Sequence, residues 1–291
     1  MMTLFKNILI PVESVPQTQL ALDKALELCD TAETTLHLVA VLRNESVWER
    51  LFNNELITPD NLRFRKRRKQ AERRLETLRG RLLTQVPDAV VTTTVILYSP
   101  LTDHITSFIR RHQIDLAIVG RQRSRKRWLD WLGGHPNDDI TDKGNVPVLS
   151  VTPGCLKHSI KSILLPVHSF VPERKIEMAL SFARKFHAHI HLVTVIDSNN
   201  TESKIKVDAF YLTYKILAEC GHSPQYKILQ GEDSHDTLMR YADQIKVDLI
   251  LLNPEKKSVW PLRMSTERSH PVNPLSGLHI LTLKSYMKKT S

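Results

Sequence analysis

The chain has 291 residues, with 41 lysines and arginines against 31 aspartates and glutamates, giving a formal net charge of +10. At about 150 residues per domain, this length leaves room for two domains. An ordinary composition, 41% hydrophobic and 25% charged, excludes a largely disordered chain. No apolar run has the length of a membrane span, no cleavable leader is recognisable, and the three cysteines have no paired spacing. We therefore expect a cytoplasmic protein.

The positive charge is concentrated in two segments. Residues 63–81 contain ten basic and two acidic side chains, and residues 121–127 contain five basic ones. Segment 63–81 predicts the front of a long helix that is basic on several faces. Two interpretations remain open, a surface for nucleic acid or anionic membrane and a solvated helix that keeps the protein soluble. The preceding insertion 45–56 has an apolar helical stripe, which predicts packing against the body or a second subunit, with a lid over a ligand cleft as the alternative.

An internal repeat organises the chain. Four apolar blocks recur in the same order, and the offset between copies falls from 154 to 133 residues after the second block, so the first copy holds an insertion. The paired blocks are 6–12 with 161–167, 36–41 with 190–195, 115–119 with 248–252, and 146–151 with 278–283. The repeat predicts two domains, 1–154 and 155–291, with the linker at 152–160.

Each block is a short run rich in Val, Ile and Leu, which is typical of a strand buried on both faces of a parallel sheet. Segments 17–30 and 101–112 have helical spacing of apolar residues. Alternating strands and helices predict an open, doubly wound α/β sheet. The predicted strands are 7–12, 35–41, 90–97, 114–119 and 146–151 in the first copy and 162–167, 189–195, 224–229, 247–252 and 278–283 in the second.

Four sequence runs together resemble the universal stress protein family, twice and over essentially the whole chain. They are ILIPVES at 8–14, ILLPVHS at 163–169, DLAIVG at 115–120 and VPVLSV at 146–151. The resemblance implies two five-stranded parallel sheets in the order 3-2-1-4-5, the adenine nucleotide alpha hydrolase-like fold. It also implies an intrachain pseudo-dimer in which the fifth strands pair.

ATP-binding members of that family share a motif of Gly, two residues, Gly, nine residues, Gly, then Ser or Thr. Glycines let the backbone approach phosphates, and the last pair opens a helix whose amides bind the anion. In the first copy Gly120 and Gly133 fit this motif. Arg123 stands in place of the second glycine, and Gly134 replaces the Ser or Thr.

The resemblance implies an adenine or ribose contact at Glu13, which replaces an Asp, with Pro11, Val12 and Val41 beside it. The implied ligand is ATP with its own magnesium ion, and no protein-held metal is expected. The basic residues of 121–127 attract a polyphosphate. The Arg123 side chain obstructs close backbone approach, and acidic residues at 138–139 repel phosphate. Nucleotide binding in the first domain and its loss both remain open.

The second copy departs further from the motif. Its fourth strand runs into Asn253 without a glycine, His168 replaces the acidic residue, and two prolines interrupt 270–274. We expect it to be a structural partner of the first copy. No catalytic motif is present, so we expect a stress-response binding or scaffold protein, at most a weak ATPase. An unknown protein partner or a homodimer is implied. The alternative is a nucleic-acid or anionic-surface binder that uses 63–81 and 121–127.

Overall fold

A computed structural model describes residues 4–12, 15–29, 33–43, 62–98, 104–120, 145–153, 159–197, 203–231, 234–253 and 278–284. The chain divides into two compact units, residues 1–120 and 121–291. Each unit is built from strands that alternate with helices. The apolar insertion 45–56 and the basic segment 121–127 lie outside the described residues.

The first unit contains four parallel strands in the order β3-β2-β1-β4. The chain runs away from β1 through β2 to β3 and then returns to β4 on the other side of β1. Its elements are β1 (Asn7–Pro11), α1 (Val15–Leu28), β2 (Thr35–Arg43), α2 (Leu62–Gln85), β3 (Val90–Tyr98), α3 (His104–Arg111) and β4 (Leu116–Gly120).

The second unit repeats this arrangement and adds strands at one side, in the order β5-β10-β9-β6-β7-β8. Among these strands β5 alone runs antiparallel to its neighbour, β10. Its elements are β5 (Val148–Val151), β6 (Ser162–Pro166), α4 (Glu173–Phe186), β7 (His189–Ile196), α5 (Ser203–Glu219), β8 (Gln225–Gln230), α6 (Ser234–Gln244), β9 (Leu249–Leu252) and β10 (His279–Thr282).

The sequence-based α/β fold is confirmed. All ten predicted strands form, with boundaries that agree to about two residues, and helices form over most of 17–30 and of 101–112. The last strands of the two repeats pair with each other, Ser150 opposite Ile280, as the resemblance implies. Because of this pairing β5 belongs to the second compact unit, whereas the repeat assigns it to domain 1–154. Domains 1–154 and 155–291 remain a proposal based on the repeat.

One aspartate in each unit ties the start of the first strand to the start of the fourth. Asp115 Oδ2 accepts hydrogen bonds from the backbone N–H groups of Lys6 (2.7 Å) and Asn7 (2.9 Å). Asp248 Oδ2 accepts the corresponding bonds from Lys161 (2.8 Å) and Ser162 (2.9 Å). A carboxylate that accepts from two backbone amides forms charge-assisted bonds, which are stronger than neutral ones. Both copies therefore use the same pair of carboxylate–amide hydrogen bonds to align their first and fourth strands.

Helix α2 is the basic helix predicted from segment 63–81. Its buried apolar residues are few and include Leu75 and Leu82, which are 1% and 3% exposed and two turns apart on the face towards the sheet. Nearly all of its described charged side chains are exposed. Arg68 pairs with Glu72 and Arg79 with Glu76, so part of the charge is neutralised on the helix itself.

Candidate functional site

The predicted site of the first unit lies where β1 and β4 end side by side. Ile8 and Leu9 of β1 pair with Leu116 and Ala117 of β4, and β2 lies on the opposite side of β1. The chain passes from β1 to β2 on one side, and β4 lies on the other side of β1, which makes this edge the topological switch point of the sheet. In open α/β sheets ligands bind in the crevice outside the strand carboxyl ends at such a point.

The structure brings together four of the predicted site residues at this edge. Pro11 is the last residue of β1, and buried Val12 follows it, with its N–H donating to the Val39 carbonyl at 2.8 Å. Val41 lies two residues further along β2, and Gly120 ends β4. The other predicted residues, Glu13, Arg123, Gly133 and Gly134, lie outside the described residues.

Gly120 has a packing role that the sequence motif does not reveal. A Cβ atom at this position would lie 2.6 Å from the carbonyl carbon of Gln17 and 2.9 Å from its Cα. Gln17 is in the first turn of α1, so the end of β4 and the start of that helix come together almost backbone to backbone. Glycine is required here because any other residue would force the helix away from the strand.

The second unit presents different side chains at the corresponding edge. Its register repeats that of the first unit, since Ile163 pairs with Leu249 as Ile8 pairs with Leu116. Asn253 therefore takes the position of Gly120. Its Oδ1 atom is buried and has no hydrogen-bond partner among the described residues. As the sequence predicts, the second copy has no glycine at this position. A buried polar group, the Asn253 amide, stands there instead.

Two lysines approach the same edge from helix first turns, and sequence reasoning missed both. The Lys175 side chain in α4 is 1% exposed, and the described residues supply no carboxylate partner for it. Burial lowers the pKa of its ammonium from 10.5 to about 7. Lys206 in α5 donates from Nζ to the Val195 carbonyl at 3.4 Å, at the carboxyl end of β7. The signal for Lys175 was available, because it lies four and eight residues before the buried residues Ala179 and Ala183.

His168 follows β6 at the position that Glu13 has after β1 in the first copy. His168 is exposed by its accessible surface, although many protein atoms lie around its ring. Desolvation, together with the positive charges of Lys175 and Lys206, lowers the pKa of His168 from 6.5 to about 4. The three side chains therefore form one electrostatically coupled group, with a neutral imidazole near pH 7.

A second histidine, His37, is buried in the first unit. It lies on β2 beside β1, near the amino end of β1, whereas the predicted site lies at the carboxyl end. Its Nδ1 accepts from the Thr92 hydroxyl at 2.8 Å, and its Nε2 lies 3.3 Å from Asn7 Oδ1. The rings of Phe108 and His112 pack against it. Burial, with a smaller contribution from His112, lowers the pKa of His37 to about 4. We assign it a structural role, because each ring nitrogen already has a protein partner.

Within the part of the chain that the structure describes, no group of three or more His, Cys, Asp or Glu side chains is arranged to hold a metal ion. His187, His189 and His191, which alternate along the chain, are among the residues covered by that statement. None of the six described helices has an apolar stretch long enough to cross a membrane.

A doubly wound α/β fold that occurs twice, with a glycine at the first switch point, defines the chain as a tandem doubly wound α/β protein. Within this class, the sequence model of the universal stress protein family matches residues 4–152, just over half of the chain. The chain belongs to the universal stress protein family. It is a tandem member, since its second half repeats the fold of the first. A search of curated protein sequences gives no significant match.

Solved structures share this fold over nearly the whole chain. A universal stress protein from Archaeoglobus fulgidus DSM 4304 is 13% identical, with a TM-score of 0.64, and the match covers 97% of both chains. A candidate universal stress protein from Pseudomonas aeruginosa UCBPP-PA14 is 18% identical, with a TM-score of 0.55, and the match covers 97% of this chain and 94% of that one. A protein of unknown function from Pseudomonas aeruginosa PAO1 is 17% identical, with a TM-score of 0.56, over 97% and 93% of the two chains. At these identities the likeness shows the fold.

Proposed function

We propose that this tandem universal stress protein binds an adenine nucleotide, ATP in particular, at the carboxyl edge of β1 and β4 in its first unit. The protein then acts by binding rather than by catalysis. The observation that carries the proposal is the position of Gly120 at the switch point, against the first turn of α1. The absence of a side chain at this point lets the start of α1 lie directly beside the end of β4, so a helix N-terminus is held at the switch point where such sheets bind their ligands.

The described neighbouring residues supply an apolar edge of the kind that an adenine ring packs against. Val12 is buried and its N–H is bonded to β2, so the end of β1 is a fixed apolar edge. Val41 extends this apolar edge on β2 and is only partly exposed. We assign Glu13 to the ribose or adenine, and Gly133 and Gly134 to the phosphates, by the family motif. Magnesium would arrive with the nucleotide, and its charge would offset the phosphate charge.

Calorimetry with ATP and magnesium tests this proposal on the full chain. Gly133→Asp places a negative charge at the proposed phosphate position and should abolish the binding heat. Gly80→Asp is the matched control, because Gly80 lies on α2 and a Cβ added there would meet no other atom within 4 Å. This control should bind ATP as the wild type does. An absence of heat in all three proteins would remove the nucleotide proposal and leave a scaffold role.

We extend the proposal to the cellular role that the family resemblance implies, a cytoplasmic stress-response protein that acts through a protein partner or as a homodimer. Light scattering of the purified chain, with and without ATP, tests the homodimer. A mass of 33.4 kDa in both conditions would identify the protein as a monomer. The protein would then act through a different protein as its partner.

A second candidate function, binding of nucleic acid or an anionic surface, is favoured by one feature of α2. Lys66, Lys69 and Arg73 are exposed at spacings of three and four residues, so they form a cationic stripe along one face. Binding through this stripe should weaken steeply as salt is raised, since phosphate contacts release counterions. Replacing all three residues with Gln should abolish a gel shift seen at low salt. If the wild-type protein shifts neither RNA nor DNA at low salt, this function is excluded.

A further inference from the structure

The second unit has lost the glycine of the family motif, but polar and cationic residues stand at its carboxyl edge where the equivalent residues of the first unit are neutral or acidic. Four equivalent positions differ between the units. Thr194 stands for Ala40 and Asn253 for Gly120 by strand register, His168 stands for Glu13, and Lys175 stands for Gln17 as the third residue of the helix. Each replacement adds a hydrogen-bonding group, adds positive charge or removes negative charge.

These side chains share one face of the sheet. Neighbouring residues on parallel strands point to the same side, so Val167, Thr194 and Asn253 form a row across the ends of β6, β7 and β9. Leu164, Val193 and Ile250 point to the other face, where they pack with α6. Right-handed connections place α4 and α5 together on the face opposite α6. The first turns of α4 and α5 therefore begin above the row, bringing Lys175 and Lys206 to it.

The start of α4 is held firmly at this edge. Arg174 donates from Nη1 to Asn145 Oδ1 at 2.6 Å and to the Lys284 carbonyl at 3.0 Å, and from Nη2 to the Asn145 carbonyl. The Arg174 guanidinium is thus bonded to protein acceptors, and these bonds anchor the helix turn that carries Lys175. The position of the Lys175 side chain is thus set by the fold.

Buried polar atoms at this edge have no partners within the described residues. The Lys175 side chain is almost completely buried there without a carboxylate, whereas Lys24, the other fully buried lysine among the described residues, pairs with Glu27. Thr194 Oγ1 and Asn253 Oδ1 are buried and form no hydrogen bond. Burying an unpaired ammonium and two unpaired polar oxygens costs free energy that a bound anion would recover.

We propose that the carboxyl edge of the second unit is a binding site for a phosphate group, with Lys175, Lys206, His168 and Thr194 as its donors. The two lysines supply charge, and the histidine and threonine supply neutral N–H and O–H donors to a tetrahedral oxyanion. Asn253 Oδ1 accepts from a hydroxyl of the ligand. The group can be inorganic phosphate or the phosphate of a small sugar phosphate, since both present the same oxygens.

Calorimetry on the full chain tests this site with inorganic phosphate, ribose 5-phosphate and ribose as separate titrants in a phosphate-free buffer below pH 7. Wild-type protein should bind the first two and not ribose. Stronger binding of ribose 5-phosphate would identify a sugar phosphate as the ligand, and equal binding would identify free phosphate. No binding of either phosphate, or equal heats with ribose, would overturn the proposal.

Three variants assign the binding to these residues. Lys175→Met keeps the length of the side chain without its charge and should weaken phosphate binding by about tenfold or more. Its unfolding midpoint should stay equal or rise, since an apolar residue replaces an unpaired buried charge. Lys206→Met, on a less buried residue, should weaken binding as well. Lys204→Met, an exposed neighbour in the same helix turn, should bind as the wild type does.

Unchanged phosphate binding in both Lys175→Met and Lys206→Met would refute the site. The Gly133→Asp variant separates this proposal from nucleotide binding in the first unit. It should lose ATP and keep phosphate, while Lys175→Met should lose phosphate and keep ATP. The two variants therefore test the phosphate site and the nucleotide site separately.

Discussion

Gly120 and Gln17 are in direct backbone contact, with the end of β4 pressed against the first turn of α1. A Cβ at position 120 would lie within 2.6 Å of the Gln17 carbonyl carbon. This closeness places a helix start beside the switch point of the first sheet, where the predicted ligand residues of β1 also end. In the second unit Asn253 and Lys175 take these two positions, and the edge becomes polar.

Replacing Gly120 with alanine should destabilise the protein by about 2–4 kcal/mol, because the new methyl group collides with backbone that cannot rotate away. Urea unfolding measures the change. Gly80→Ala is the matched control, since Gly80 lies in α2 with nothing within 4 Å of an added Cβ. It should stabilise the helix by about 0.5–1 kcal/mol. Equal effects of the two substitutions would mean that Gly120 and Gln17 are not packed as described.

Removing the carboxylate that aligns the first and fourth strands should destabilise either unit. Asp115→Ala and Asp248→Ala each lose two charge-assisted hydrogen bonds to backbone amides, at a cost of about 1–3 kcal/mol. Chemical unfolding of both variants and of Asp88→Ala, a change at an exposed turn, provides the comparison. An effect no larger than that of Asp88→Ala would show that the strand alignment does not depend on these bonds.

The His37 ring should remain neutral down to about pH 4, because burial lowers its pKa from 6.5. An unfolded chain binds this proton already near pH 6.5, so the unfolded state holds more protons between pH 6.5 and 4. Stability should therefore fall as pH falls through that range, by up to about 1.4 kcal/mol per pH unit for this residue. NMR titration of the ring measures the pKa directly, and a midpoint above 6 would contradict the buried network with Thr92 and Asn7.

Lys175 should give a signal of the same sign in a more alkaline window. Its pKa is lowered to about 7 by burial, whereas an unfolded lysine titrates near 10.5, so the unfolded state holds the extra proton between these values. Stability should rise with pH across that window, by up to about 1.4 kcal/mol per pH unit. His168 and Lys206 face the same group, and His168 stays neutral throughout. Lys175→Met should abolish the rise; the same slope in wild type and variant would show that Lys175 is solvated.

The sequence predicted the central strands well because they are buried on both faces, and such strands are continuous apolar runs that the repeat shows twice. The edge strand β8, in contrast, is mostly exposed. Helix α2 was predicted on a different basis, from its length and charge. The roles of Asp115 and Asp248 could not be predicted. Their partners lie more than eighty residues away along the chain, and only the folded sheet brings them together.

Lys175 was missed for a different physical reason. A lysine near a helix start is normally solvated, so sequence reasoning assigns it to the surface. Lys175 lies on the buried face of α4, and Arg174, the residue before it, bonds to Asn145 and Lys284. The family motif shows which residues the second copy lacks, and it says nothing about the polar groups that take their places.

Equilibrium dialysis of labelled ATP against the purified full chain, freed of any copurified nucleotide, tests the central claim most directly. The account predicts one nucleotide per chain, bound in the first unit and lost in Gly133→Asp. No bound nucleotide at saturating ATP, or two per chain, would contradict it.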